Sequence, residues 1–378
     1  MSLVKSGCRA LLCGVLSAAA AAEGLPRPPE SGSKTFPGWQ ALSVTGAVSR
    51  MVKPMSGAPR PEWQTDGCLR LPFNFASVPN DRIYWDVALR LDLRQAKGVA
   101  FDFFCRDPEC FTGGSLYFRS GDGWYTASFP IRRQDGWQRV AVAKADTRIE
   151  GRVAGWGAID TVRIAGWRCR DMDTECAIAN FRPHDIRPKI IVLRAESHVL
   201  KKGDAGPITK FAANVCGSLD DIGLESVLQS DIDLTPAHLA GVPLVALPYN
   251  PEVPAESLKI LAAFVAGGGK LLAFYSVPEG VRNLLGIGKV KWVSDSDSMF
   301  SGFSKTGNGL AAQPEFVPEA SGHAVLADVA EKPELRIAAV WRDRHGKDTD
   351  HAALTLTPSG AFFGRLWDHG DSIGHAAL

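Results

Sequence analysis

The chain has 378 residues, of which 45% are hydrophobic, and its 42 basic and 41 acidic side chains leave a formal net charge of +1. A charge this close to zero argues against nucleic-acid binding by bulk electrostatics, and the length allows two domains. Only 22% of residues are charged, and the 38 Gly and 24 Pro follow no short period. This composition argues against a coiled coil, a collagen-like rod and a disordered tail.

The first residues predict export. Lys5 and Arg9 precede an apolar stretch, residues 10–22, which ends in a run of alanines. A basic start, a short apolar segment and small residues at its end are typical of a secretory signal peptide. We therefore expect residues 1–22 to be a signal peptide and residues 23–38 a linker, which predicts a periplasmic or extracellular protein with no membrane span after cleavage.

Six cysteines follow the predicted signal: Cys68, Cys105, Cys110, Cys169, Cys176 and Cys216. In an oxidising compartment, closely spaced cysteines are first interpreted as disulfides. The spacing predicts one bridge between Cys105 and Cys110 and another between Cys169 and Cys176, with metal binding as the alternative. Cys216 falls on the apolar face of a predicted helix, so we expect a buried free thiol.

Residues 39–183 follow a period of two. In Arg82–Leu91, apolar residues alternate with Tyr84, Asp86, Ala88 and Arg90, and several similar runs follow. The segment 120–123, Ser-Gly-Asp-Gly, predicts a hairpin turn between two of them. Many short alternating strands separated by turn signals predict a β-sandwich, in which two sheets bury their inward faces.

The period changes after a proline-containing linker, so residues 184–378 form the second predicted domain. Residues 189–194, 242–247 and 271–275 are continuous apolar runs, as strands covered on both faces require. Helical periodicity separates them, which predicts βαβ units and a mostly parallel sheet. Towards the end, residues 336–342 and 352–357 predict antiparallel strands, with 361–363 as one more. We expect the domain to be cut short at Leu378.

Two stretches resemble a known family. Residues 242–287 (VPLVALPYNPEVPAESLKILAAFVAGGGKLLAFYSVPEGVRNLLGI) resemble the flavodoxin-like, glutamine-amidotransferase-like module of large secreted bacterial proteins of the glycosyl-hydrolase-like family ten. Residues 124–183 look like the closing strands of the galactose-binding-like jelly roll that accompanies this module. In that architecture both precede a TIM barrel, for which 378 residues leave no room. The resemblance therefore implies a glycan-related protein without the barrel's catalytic carboxylates.

The amidotransferase likeness implies one catalytic candidate. Such enzymes carry a nucleophilic cysteine on a tight strand-to-helix turn flanked by glycines. The corresponding turn here contains Ser276 and no flanking glycine. Ser276 also begins an S-x-x-E pattern with Glu279, which favours a capping box at the start of a helix. Ser276 is thus a weak catalytic candidate.

Aromatic residues on the sandwich are the candidates for binding sugars, because the apolar faces of pyranose rings stack on flat side chains. Trp124 is offset from the core positions of its strand, and together with Tyr117 it is the better exposed pair. Core packing is the competing interpretation for each.

The sequence as a whole predicts an exported, non-catalytic protein that binds a polysaccharide or glycan and serves as an accessory to a glycosidase domain. It predicts no cofactor, no metal and no nucleic-acid partner. The alternatives are a hydrolase or amidotransferase-like enzyme using Ser276, and a structural fragment of a larger glycosidase.

Overall fold

The structure is a computed structural model. It describes residues 68–76, 81–132, 136–184, 188–294, 300–318, 323–328 and 334–368, with 62–63 and the single residues 27, 79 and 186. The predicted signal peptide, the predicted linker except for residue 27, and residues 39–61 of the predicted sandwich lie outside the described residues.

The first half of the described chain forms two five-stranded antiparallel sheets. The first sheet has the order β1-β2-β10-β4-β7, with strands at Glu62–Trp63 (β1), Leu69–Asn74 (β2), Asp173–His184 (β10), Gly98–Cys105 (β4) and Gln138–Ala143 (β7). The second sheet has the order β3-β9-β5-β6-β8, with strands at Arg82–Leu91 (β3), Ile159–Arg168 (β9), Phe111–Ser120 (β5), Asp122–Phe129 (β6) and Arg148–Arg152 (β8).

The two sheets share one hydrophobic core, to which each contributes alternate residues of its strands. Phe101 of β4 meets Phe129 of β6 edge to face, with ring centroids 5.6 Å apart. Along β3 the residues predicted to face inward, such as Trp85 and Val87, are buried in this core. The period-two pattern therefore predicted a β-rich first half, as observed, and residues between the core positions point to the outer faces.

The second half contains a nine-stranded sheet with the order β12-β11-β13-β14-β21-β20-β19-β16-β17 and a separate pair, β15 and β18. The strands lie at Ile190–Arg194 (β11), Ser226–Ser230 (β12), Leu244–Leu247 (β13), Lys270–Phe274 (β14), Val290–Val293 (β15), Phe300–Lys305 (β16), Phe316–Pro318 (β17), Ala324–Ala327 (β18), Arg336–Asp343 (β19), Asp348–Thr357 (β20) and Gly360–Phe363 (β21). The helices lie at Glu196–Lys202 (α1), Ala205–Asp221 (α2), Ala255–Ala266 (α3) and Glu279–Leu285 (α4).

The prediction of a mostly parallel sheet is only half right. Pairing is parallel from β12 through β21 and antiparallel from β21 through β17. The C-terminal strands β19, β20 and β21 are joined by turns too short for a crossover, so they can pair only antiparallel. Because β21 adds in parallel to β14, these strands extend the α/β sheet and make it a mixed one.

Helices cover both faces of the parallel part. Ala212 and Val215 of α2 pack on one face, and Leu261 of α3 and Val281 of α4 pack on the other. The parallel strands follow the order 2-1-3-4-5 along the chain, as in flavodoxin-like sheets.

A fully buried ion pair within the second half makes hydrogen bonds to the first half. Arg194 ends β11, and its guanidinium donates two hydrogen bonds to Oε1 of Glu196, at 2.6 and 2.9 Å, with both side chains completely shielded from solvent. Oε2 of Glu196 accepts hydrogen bonds from Tyr125 of β6 at 2.5 Å and from Ser230 of β12 at 2.8 Å. Arg194 also donates to the Thr147 carbonyl at 3.2 Å. One carboxylate therefore joins both halves.

We predict that Glu196→Ala destabilises the whole chain by about 3–5 kcal/mol, because it leaves the Arg194 charge buried without its partner. Urea unfolding followed by tryptophan fluorescence measures this loss. The matched control is Asp160→Ala, which breaks the half-exposed pair between Asp160 and Arg119 and should cost less than about 1 kcal/mol. Equal losses for the two variants would contradict the role assigned to Glu196.

Candidate functional site

The turn after β14 contains the predicted nucleophile. Tyr275 has a φ of 52°, a left-handed conformation that a bulky residue seldom adopts. Ser276 follows it and is half-buried. Within the described residues, no histidine or carboxylate is hydrogen-bonded to its hydroxyl. The predicted capping box is wrong, because α4 begins at Glu279 with Pro278 as its N-cap and no side-chain cap. The turn is strained, but no described residue is hydrogen-bonded to the serine hydroxyl as an activating base.

The usual ligand crevice of such a sheet is filled by the chain itself. In open α/β sheets ligands bind beyond the carboxyl ends of the strands at the topological switch point, here between β11 and β13. Asn250, which follows β13, is fully buried and donates from Nδ2 to the Leu193 carbonyl at 3.0 Å. The Arg194–Glu196 pair occupies the end of β11, where Tyr125 reaches it from the sandwich. The switch point therefore lies at the contact between the two halves.

Two further buried titratable groups flank this contact. Lys144 donates from Nζ to the carbonyls of Leu93 and Arg94, both at 3.1 Å, and burial lowers its pKa to about 7. Asp231, directly after β12, accepts hydrogen bonds from the backbone and the hydroxyl of Ser197. Burial raises the pKa of Asp231 to about 7, and these hydrogen bonds oppose the rise only in part. Sequence reasoning missed both groups because neither belongs to a local motif.

An open groove lies on the outer face of the second sheet. It has a volume of about 390 Å³, and its aromatic lining residues are Tyr117 and Trp167. Polar side chains from β5, β6 and β8 and the turn before β8 complete the lining: Ser115, Thr126, Ser128, Asp146, Arg148 and Glu150. The volume is within the range of small-molecule sites, roughly 300–1,000 Å³. Aromatic rings beside hydroxyls and charged groups suit a ligand with both apolar faces and many hydroxyls.

Trp167 is the aromatic residue that the sequence analysis did not select. It is 37% exposed, and it lines both this groove and a neighbouring cavity of about 360 Å³ above Gly113 and Gly114. Its indole donates to the Ser115 hydroxyl at 2.9 Å, and Arg82 lies over its ring at 4.9 Å. These contacts hold the ring in one orientation. The sequence could have indicated this, because Val162 and Ile164 are core positions of β9 and Trp167 falls on the alternate, outward-facing positions.

The two predicted sugar-binding residues lie on the same outer face, but they differ in position. Tyr117 lines the groove, although only 8% of it is exposed. Its hydroxyl accepts a hydrogen bond from Arg82 at 2.8 Å. Trp124 is half-buried beside Tyr117, with ring centroids 6.2 Å apart, and Arg163 lies over the indole at 4.4 Å. Trp124 supports the wall, while Tyr117 and Trp167 face the opening.

Other kinds of site find no geometric support in the described part of the chain. No three histidine, cysteine or carboxylate side chains come together there as a metal site would require. None of the helices of that part is both long and apolar enough to cross a bilayer.

The cysteines are neighbours in a different pattern from the predicted one. All six described cysteines are free, so neither the Cys105–Cys110 nor the Cys169–Cys176 bridge is present. Cys105 of β4 is instead the cross-strand partner of Cys176 of β10. Burial and contact with the Cys105 thiol both raise the pKa of Cys176. The Cys169 amide donates to the Cys110 carbonyl at 2.7 Å. Sheet pairing, which sequence spacing does not reveal, decides which cysteines meet. Cys216 is buried on α2, as expected.

Comparisons with known proteins find only distant structural similarity. No protein-family model matches the chain, and no curated protein does. A β-galactosidase from Rahnella sp. R3 is 18% identical over 51% of this chain and 31% of its own, with a TM-score of 0.40. A β-galactosidase from Bacillus circulans is 12% identical over 48% of this chain and 29% of its own, with a TM-score of 0.37. A ThuA-like protein from Bacteroides uniformis is 8% identical over 50% of this chain and 88% of its own, with a TM-score of 0.39. Similarity this low assigns neither a family nor an activity. The chain spans about a third of the length of these β-galactosidases.

We predict that mild oxidation links Cys105 to Cys176. With oxidised glutathione as the oxidant, the two thiols lose two protons and two electrons and form one S–S bond, because the strands already place them side by side. Peptide mapping by mass spectrometry under non-reducing conditions identifies the linked fragments. Cys216, buried on another element, should remain free. Fragments joined through Cys105 and Cys110 instead would contradict the prediction.

We also predict that Asp231→Asn changes the pH dependence of stability. Because the folded-state pKa of Asp231 is raised to about 7, the native state binds more protons than the unfolded state between about pH 4 and 7. Wild-type stability therefore loses this contribution as the pH rises through that window. The asparagine side chain does not titrate. The melting temperature of the variant relative to that of the wild type should therefore rise as the pH increases from 4 to 8. The exposed Asp350→Asn is the control, and a pH-independent difference for Asp231→Asn would refute the assignment.

Proposed function

We propose that this chain is an exported, non-catalytic carbohydrate-binding protein that acts as an accessory to a glycoside-hydrolase-like system, in the periplasm or outside the cell. The observation that carries the proposal is the groove on the outer face of the second sheet, where Trp167 and Tyr117 lie among side chains able to bond sugar hydroxyls. Aromatic rings match the apolar face of a pyranose, and the polar residues fix its orientation.

The geometry of the α/β half supports a binding role over a catalytic one. Its switch point is filled by Asn250 and the Arg194–Glu196 pair. Its one strained turn has no base hydrogen-bonded to Ser276 among the described residues. The resemblance to secreted glycosidase modules adds the substrate class, a polysaccharide or glycan. The half most suited to ligand binding is therefore the sandwich, with the α/β half as its structural support.

A glycan array probed with the chain from Glu23 onward tests the proposal. We expect binding to one polysaccharide class. Trp167→Ala should weaken it by about 1–2 kcal/mol, roughly fivefold to thirtyfold, because the variant removes the exposed ring of the groove. Trp124→Ala should weaken it less, since Trp124 supports Tyr117 from the side.

The matched control is Phe316→Ala, which removes an equally exposed aromatic ring, 37%, from the α/β half. It should leave binding unchanged. A folded wild-type chain that binds no glycan would refute the proposed function. Equal losses for Trp167→Ala and Phe316→Ala would show that binding does not occur in this groove.

A further inference from the structure

A second cavity lies where the two halves meet. Helix α2 packs along β8, the edge strand of the second sheet, and against the short 3-10 helix Lys144–Asp146 that precedes it. Between them lies a cleft of about 460 Å³, lined by both halves. It therefore has a wall from the sandwich and a wall from the α/β half.

This cleft and the groove described above are adjacent. Asp146 and Arg148 line both of them. Arg148 is exposed and forms no ion pair with any described residue. Asp146 accepts a hydrogen bond from the Ala143 amide at 3.0 Å, which fixes the carboxylate at the junction. A ligand lying in the groove can thus extend past β8 towards α2 while remaining in contact with the protein.

The cleft has the chemistry of a subsite for a further sugar unit. Its lining includes small or apolar residues, among them Ile149, Ala205, Gly206 and Ala213. Its polar residues include Lys210 and Asn214, both held in place by Asp368, at 2.9 and 3.1 Å. Small residues leave room for a ring, and fixed polar groups at the side can bond its hydroxyls.

We propose that the groove and the cleft form one continuous site for a linear oligosaccharide chain, and that α2 supplies a second subsite beyond the sandwich. This inference rests on the proposed function and adds the ligand class: a chain several sugars long, bound along its length, instead of a single terminal sugar. Arg148 lies at the boundary between the two subsites.

Two glycines of α2 provide a sharp test. A Cβ added at Gly206 or at Gly217 meets no atom within 4 Å, so the space beside either glycine is open at the first side-chain carbon. Only Gly206 lines the cleft. Gly206→Leu therefore adds a bulky side chain at the lining of the cleft, while Gly217→Leu adds the same side chain on the same helix away from the cleft.

Calorimetry with cello-, manno-, xylo- and galacto-oligosaccharides, from disaccharide to hexasaccharide, measures the effect. For the class that binds, wild-type affinity should rise with chain length. Gly206→Leu should bind the disaccharide as the wild type does and lose at least about tenfold, or about 1.4 kcal/mol, for the hexasaccharide. Gly217→Leu should follow the wild type at every length.

The outcomes separate the two proposals. If oligosaccharides bind in a Trp167-dependent manner but Gly206→Leu matches the wild type for the hexasaccharide, the second subsite is wrong and the proposed function stands. If wild-type affinity does not increase with length, the continuous site is likewise wrong. If no oligosaccharide binds the folded wild type, both proposals fail.

Discussion

The structure depends on one carboxylate that has no access to water. Glu196 satisfies the Arg194 guanidinium and accepts hydrogen bonds from a tyrosine of the sandwich and a serine of the parallel sheet. An ion pair in such a setting does little for net stability, since desolvation offsets most of the attraction. It does impose geometry, because another placement of the two halves would remove the buried hydrogen bonds that Tyr125 and Thr147 make with the pair. The orientation of the halves follows from this constraint.

The apolar contacts agree with this orientation. Ala195, Val199 and Ile208, all from the α/β half, belong to the same buried cluster as the core of the sandwich. The first turns of that half therefore pack into the preceding domain. Burial of this apolar surface supplies the favourable free energy, while the polar network selects one arrangement. A chain built in this way should behave mechanically as one body, which a binding site shared by both halves would require.

The period of two was the most informative pattern in the sequence. It predicted β3 with its observed bounds and identified Trp85 as a core residue, because each strand of the sandwich has one buried face. Neither this period nor the cysteine spacing shows which distant strands pair, so a Cys105–Cys110 bridge was predicted, whereas the sheet places Cys105 opposite Cys176. Strand β12, SVLQS, was missed because its buried serines and glutamine break the apolar run. In the antiparallel half of the large sheet, β19 and β20 were predicted as strands, whereas β16, β17 and the attachment through β21 were not.

The candidate site was only partly predictable for the same physical reason. Tyr117 of β5 and Trp124 of β6 both point to the outer face of the sheet. How far each ring is exposed depends on side chains from other strands, here Arg82 and Arg163. The alternation of side chains along a strand assigns a residue to one face of a sheet. It does not determine whether that face is exposed to solvent at that residue. Trp167 lies opposite Gly113 of β5, which has no side chain to cover the ring, and opposite Arg82 of β3, which lies over it.

The placement of α2 connects the fold to the proposed binding role. Strand β8 is paired on one side only, and an edge strand left open invites pairing with other chains. Helix α2 packs beside it. Small residues at the start of the helix, such as Ala205 and Gly206, limit this contact, so a cleft is left instead of a sealed interface. The same packing that shields β8 therefore extends the polar groove of the sandwich across the boundary between the halves. The hydrogen bonds from the buried Arg194–Glu196 pair to Tyr125 and Thr147 hold the two halves together at that boundary.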